Sequence, residues 1–245
     1  MSDTEEIAFL LVFLLATGLL AAFIYWLVRQ TTHGNRKLLS ELADALAGKF
    51  ADDLPAELQA DLADSYLMQI TRCRRHAVAF DDAGLRFTLF EAEMQTAPEA
   101  LPVVMTALCT SGFEQALPDF LWRPGKPNDT SRWAQFLGKP PPPAGLQPIP
   151  LESAPSVQLF GNDVPALGKL LGGSVRRRLV EDKAILESRG QHLLYYRPQE
   201  QLTPTTANVA ARMAELRALL NEMGLQAPAA ARGYPLSSHS SKETP

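Results

Sequence analysis

Cysteine, histidine and basic charge are all scarce in this chain, and each scarcity removes a class of function. Two cysteines, Cys73 and Cys109, cannot build the disulfide framework of a small secreted domain, and they suit a reducing compartment. In an oxidising space the same two residues would be a candidate bridge. Of the four histidines, His33 follows a long apolar run and His239 lies near the C-terminus, which leaves His76 and His192. Cys73 and His76 with Cys109 and His192 make one loose pair and two singles, short of the two close pairs that a structural zinc site uses. No metal and no cofactor is expected. Lys and Arg number 23 against 27 Asp and Glu, a formal net charge of −4. A general nucleic-acid binder carries a basic surplus instead.

Motifs of catalysis are missing too. There is no G-x-S-x-G elbow. Gly161 to Lys169 (GNDVPALGK) evokes a phosphate loop, but six residues separate its glycines, Pro165 removes an amide and Leu170 follows the lysine. That segment reads as a helix start. Glu91 and Glu93 share a strand face without any sign of an acid–base pair.

What the sequence does have is a charge-free run from Ile7 to Val28 (IAFLLVFLLATGLLAAFIYWLV). As a helix it reaches ~33 Å, which matches the hydrocarbon core of a bilayer. A cleaved signal peptide would need a basic n-region and a shorter apolar core. Here Asp3, Glu5 and Glu6 precede the run, so a retained transmembrane helix is expected. Arg29, Arg36 and Lys37 follow it, and Tyr25 and Trp26 sit at the same end. That arrangement predicts an outside N-terminus and a cytoplasmic C-terminal domain at the inner membrane. Gly18 and Ala22, four apart, could form a helix-dimer face. The expected partners are the lipid bilayer and, through the span, a membrane protein or a second copy. Arg29, Arg36, Lys37, Arg176, Arg177 and Arg178 are the candidate lipid-facing cations.

Downstream, the pattern predicts an α+β fold, with an antiparallel sheet and flanking helices in the soluble domain. The expected organisation is a short N-terminus (1–6), the span (7–28), juxtamembrane helices (29–64), a domain (65–225) and a disordered tail (226–245). Leu38, Leu39, Leu42 and Leu46 stripe a helix over 35–50, and Asp53 with Pro55 opens a second. Ser65 to Arg72, His76 to Phe80, Leu85 to Ala92 and Val103 to Thr110 read as strands of a meander with one face buried. Ten of the nineteen prolines fall in 118–155. This Pro-rich insertion therefore excludes a central strand, and Pro140 to Pro143 should be polyproline II. Ser156 to Phe160 is a strand, Asp163 caps a helix, Arg189-Gly190 turns a hairpin, and Thr203 or Thr205 opens a helix to about Met223.

Two segments carry a resemblance. Leu117-Pro118-Asp119-Phe120-Leu121-Trp122-Arg123-Pro124 and Leu193-Leu194-Tyr195-Tyr196-Arg197-Pro198 resemble an "LPxFxxRP" segment and an "LLxYR" hairpin. Both are found in uncharacterised bacterial single-span membrane-anchored proteins. The resemblance implies the same order of elements over residues 66–222 and carries no established activity. Phe120 and Trp122 alternate with Leu121 and Arg123 as an edge strand would. The function expected is therefore a non-enzymatic interaction or regulatory module at the cytoplasmic face of the inner membrane. The alternatives are a membrane-tethered hydrolase or other enzyme with an unrecognised site, and a reader of anionic lipid.

Overall fold

Strand-forming residues in period-two runs, broken by residues able to take positive φ, set the sheet. The computed structural model describes residues 13, 16–20, 23, 35–94, 103–125, 145–151, 157–198 and 200–226. Strand β1 is Lys49–Asp53, β2 is Cys73–Asp82 and β3 is Leu85–Met94. Ala83 and Gly84 connect the last two with φ of 48° and 82°, as a two-residue hairpin turn with both centres left-handed requires. β4 (Val103–Ser111) runs along β3 from Arg86↔Ser111 to Met94↔Val103. A second hairpin, β8 (Ile185–Arg189) and β9 (His192–Tyr196), folds about Gly190. β9 then pairs with β4 and joins the halves. β5 (Phe120–Pro124) lies between β8 and β7 (Val157–Gly161), and β6 (Gln147–Ile149) closes the far edge. The nine strands run β1-β2-β3-β4-β9-β8-β5-β7-β6, and every neighbouring pair is antiparallel.

Both faces of this sheet are covered. On the first lie α1 (35–45), α4 (Val164–Leu170), α5 (Gly173–Glu181) and α6 (Thr206–Glu222). They bury Leu39, Leu42, Leu167, Leu179, Val209, Met213 and Leu216 against Val78, Phe87, Leu89, Trp122 and Leu186. At Gly161 a Cβ would lie 2.3 Å from Leu167 Cδ1, so a larger residue would force the buried Leu167 side chain to shift. On the second face α2 (Ala56–Asp61) and α3 (Tyr66–Ile70) bring Leu62, Tyr66 and Leu67 onto Phe90, Met105, Leu121 and Leu194. Caps start three helices. Ser65 Oγ accepts from Met68 N, Asp163 Oδ1 from Ala166 N and Thr205 Oγ1 from Asn208 N, each bond satisfying an otherwise unpaired first-turn amide.

Several expectations are corrected. Among the described residues no helix is long and apolar enough to cross a membrane. A crossing needs ~20 consecutive apolar helical residues, and the continuous helical stretch described within 7–28 is 16–20. The expected transmembrane helix is therefore not part of the observed fold, and the rest of the run lies outside the described residues. The expected helix over 35–50 stops at Ala45. Ala47 turns left-handed (φ 51°), Gly48 N donates back to Ala43 O at 2.8 Å, and β1 begins. Asp53 caps nothing; it ends β1 opposite Arg75, and α2 starts after Pro55.

Ser65 to Arg72 is not a strand. The Ser65 cap and buried acceptors for the next two amides turn Tyr66–Ile70 into α3. The meander is buried on both faces, because α2 and α3 cover the side opposite the long helices. β5 is interior, hydrogen-bonded to β7 and β8, with Pro124 at its last position where the missing donor does least harm. Ser131 to Leu137, Pro140 to Pro143 and 227–245 lie outside the described residues.

Candidate functional site

The register of β2 on β3 slips between Arg75↔Glu91 and Val78↔Leu89, leaving His76 and Ala77 opposite Phe90. This is a bulge, a device that re-aims side chains. His76 takes φ 54°, a conformation that costs a non-glycine residue about 1–3 kcal/mol unless its surroundings hold it. They do. His76 Nδ1 lies 2.7 Å from Glu91 Oε2, and its ring stacks on Phe50 with centroids 6.3 Å apart. Glu91 Oε1 accepts from Asn35 Nδ2 of α1 at 2.8 Å and from Gln201 Nε2, ahead of α6, at 3.2 Å. Arg75 Nε stands 3.9 Å from Glu91 Oε2. Both carboxylate oxygens of Glu91 are thus occupied, and the cluster ties α1, the bulge and the approach to α6 together.

The second face carries a different set. Glu187 is fully buried at the start of α3, where Oε1 accepts from Tyr66 N at 2.5 Å and Oε2 from Leu67 N at 3.2 Å. Arg189 Nε lies 3.4 Å from the same carboxylate, and Arg189 Nη1 is 4.0 Å from Asp119. Burial pushes the Glu187 carboxyl up to about 7, and the two amides and Arg189 offset part of that rise. Nearby on the same face Arg123 lies between the rings of Tyr66 and Phe160, 4.9 Å from each centroid. The hydroxyls of Tyr66 and Tyr196 are buried close by, and burial raises the pKa of both.

Cys109, His192 and Asp61 stand in the order of a nucleophile, base and orienting acid. Cys109 Sγ is 3.8 Å from His192 Nδ1, and His192 Nε2 is 3.1 Å from Asp61 Oδ2. Burial, reinforced by Asp61, pushes the Cys109 thiol up to about 12. A thiolate is the reactive form, so this thiol stays protonated and packs as a core residue.

A fourth cluster lines the end of β9. Arg197 pairs with Asp182 at 3.3 Å and Glu215 at 2.9 Å, while Arg212 bonds Glu200 and lies over the Tyr195 ring. Arg197, Arg212, Glu200 and Tyr195, with Leu89, Thr106 and Leu202, line a cavity of about 10 Å³, room for one water.

The residues weighed as soft-metal ligands lie apart, with His76 on Glu91 and His192 between Cys109 and Asp61. Among the described residues no three His, Cys, Asp or Glu side chains gather as a metal site would need, and both cysteines are free thiols. Glu91 and Glu93 do share Arg75. Of the candidate lipid-facing cations, Arg36 is held by both oxygens of Asp52, and Lys37 lies 3.7 Å from Glu41. Arg176 donates to Leu171 O, Arg178 pairs with Glu222, and Arg177 is exposed on α5. Arg29 and Ala22 lie outside the described residues, and Gly18 has open space where a Cβ would stand. Sequence reasoning missed Glu187. The available signal was the period-two pair Glu187 and Arg189, which puts two charges on one face of a strand between apolar runs.

No family model matches the chain, and no curated protein matches it. Among solved structures it is similar to the mycobacterial trehalose monomycolate transport factor A, TtfA, at 9 % identity and a TM-score of 0.45. That likeness covers 77 % of this chain and 96 % of the other.

Proposed function

We propose that this chain is a non-enzymatic interaction or regulatory module working at the cytoplasmic face of a bacterial inner membrane. The observation that carries the reading is the docking of α1. Leu39, Leu42 and Ala43 enter the core, Asn35 reaches Glu91 and Arg36 grips Asp52, so a pull on the N-terminal side of α1 is felt by the sheet. Ahead of α1, Phe13, Leu19, Leu20 and Phe23 keep 55–65 % of their surface exposed, apolar area that a lipid or protein surface would cover. Side chains suited to acid–base or nucleophilic work are committed within the fold, as Glu91, His192 and Cys109 illustrate. The LPxFxxRP and LLxYR likenesses belong to the same proposal.

Affinity capture of the full chain in detergent, set beside a broad substrate screen, tests the module reading. A reproducible partner with no turnover is expected; turnover with no partner would sink it. For the location, the chain should sediment with membranes, and a topology reporter fused after Pro245 should be active in the cytoplasm. Recovery in the soluble fraction, or activity only outside, overturns that part.

A further inference from the structure

The sheet ends in two edge strands, β1 and β6, and they are not equally fit to take another strand. β6 is three residues long with Pro148 at its centre, and a proline without a donor blunts an edge. β1 is five residues long, has no proline and pairs on one side alone, with β2. The groups it leaves free follow from the ladder. Leu54 N donates to Arg74 O, one step past the pair Asp53↔Arg75. In an antiparallel ladder alternate residues exchange bonds with the neighbour, and those between them turn N–H and C=O the other way. Phe50 and Asp52 therefore turn their backbone groups to β2, while Lys49, Ala51 and Asp53 turn theirs outward. Among the described residues no backbone bond reaches these three from the outer side.

An open edge of this kind is a template for any extended chain unless its side chains choose the partner. In β1 they do. Lys49, Ala51 and Asp53 lie on one face of the strand, and Phe50 and Asp52 on the other; all three charged residues are exposed. Run antiparallel to itself about Ala51, the sequence KFADD sets Lys49 of each copy directly opposite Asp53 of the other, on the same face. Cross-strand pairs of opposite charge are stabilising, and like charges directly opposite are not. A slip of two residues one way sets Asp52 against its own copy; a slip the other way leaves Lys49 and Asp53 opposite alanines. A parallel pairing in register sets Lys49 on Lys49. On the other face the Asp52 charge is already matched within its own copy by Arg36, which also lies over the Phe50 ring.

We propose that β1 is a self-recognising edge through which two copies of this chain dimerise, antiparallel, with Ala51 on the two-fold axis. About six backbone hydrogen bonds and two Lys49–Asp53 pairs hold the contact. One strand pair is a small interface, so the association is reversible and depends on concentration. The contact is isologous and closes at two copies. It does not depend on the module reading above.

Sedimentation velocity of the full chain in detergent, over a rising concentration series, tests it. The parent chain should pass from monomer to dimer, less readily as salt rises. Lys49→Asp and Asp53→Lys each turn both attractive pairs into repulsive ones and should each weaken the dimer about tenfold or more. An equimolar mixture of the two variants restores opposite charges across the axis and should dimerise about as well as the parent. If Asp53→Lys fails to fold beside Arg75, Ala51→Pro takes its place: it removes one outward donor and no bond to β2, and should abolish the dimer. A parent chain that stays monomeric up to roughly 1 mM overturns the proposal. A dimer that Lys49→Asp or Ala51→Pro leaves intact is made by another surface and overturns it too, as does a mixture no more dimeric than its two components.

Discussion

Glu91 and Glu187 are both buried carboxylates, but opposite faces of the sheet hold them by opposite means. Glu91 is met by side chains: an imidazole, two carboxamides and a guanidinium, drawn from α1, β2, and the residues before α6. Glu187 is met by two backbone amides of one short helix and a single arginine. The first arrangement is a junction, since removing the carboxylate frees groups on separate elements. The second is a plug at a helix start, where desolvation outweighs the donors and lifts the carboxyl pKa to about 7. Burial alone does not decide what a carboxylate does; the origin of its donors does.

Breaking the junction should cost most. Glu91→Ala leaves His76, Asn35 and Gln201 without their acceptor and should destabilise the domain by about 3–5 kcal/mol, read by urea unfolding. His76→Ala should cost less and should not add to it, because the two residues act on one contact. An additive double mutant would show that they are independent.

Breaking the plug changes pH dependence instead. The folded pKa of Glu187 is raised above its unfolded value of 4.5 to about 7. Its contribution is therefore fully present below pH 4.5 and is lost as pH rises to about 7. By linkage the loss is about 3 kcal/mol. Glu187→Gln should remove that decline, so the difference in stability between parent and variant should drift across pH 4.5–7 and be flat above. A pH-independent difference would refute the plug.

Reactivity sharpens the same contrast. At pH 8 the Cys109 thiolate fraction is about 10⁻⁴, from its pKa of about 12. Alkylation of the native chain should therefore label half-buried Cys73 and spare Cys109 until denaturant is added. Mass spectrometry showing native labelling at Cys109 would mean that the second face opens readily. The smallest effect is expected from Ser65→Ala, which removes the cap of α3 and should cost about 1 kcal/mol. It should also move the Glu187 pH window, which a cap without influence on the plug would leave alone.

Legibility in the sequence followed how local each determinant was. The hairpin turn at Gly190, the Asp163 cap and the helix from Thr206 rest on neighbouring residues, and the structure has them. Ser65 to Arg72 reads as a strand in the sequence because α3 depends on Glu187, far along the chain, to accept its first amides. β5 is interior rather than an edge because neither proline content nor alternation says which strands flank Phe120 to Arg123. The His76–Glu91 pair needed the bulge, which alternation cannot show.

The interior position of β5 has a consequence for how the chain is made. Its partners on both sides, β7 and β8, are synthesised after it, and β8 arrives just before β9, the strand that joins the two halves. While the polypeptide emerges, β4 shows an unpaired edge and Phe120, Leu121 and Trp122 have no sheet to enter. Such non-local closure is slow and exposes strand edges to other chains. Ribosome-bound chains ending before Arg189 should therefore be more sensitive to protease and more prone to chaperone capture than chains extending past Tyr196, and the β8–β9 hairpin is the step that completes the sheet.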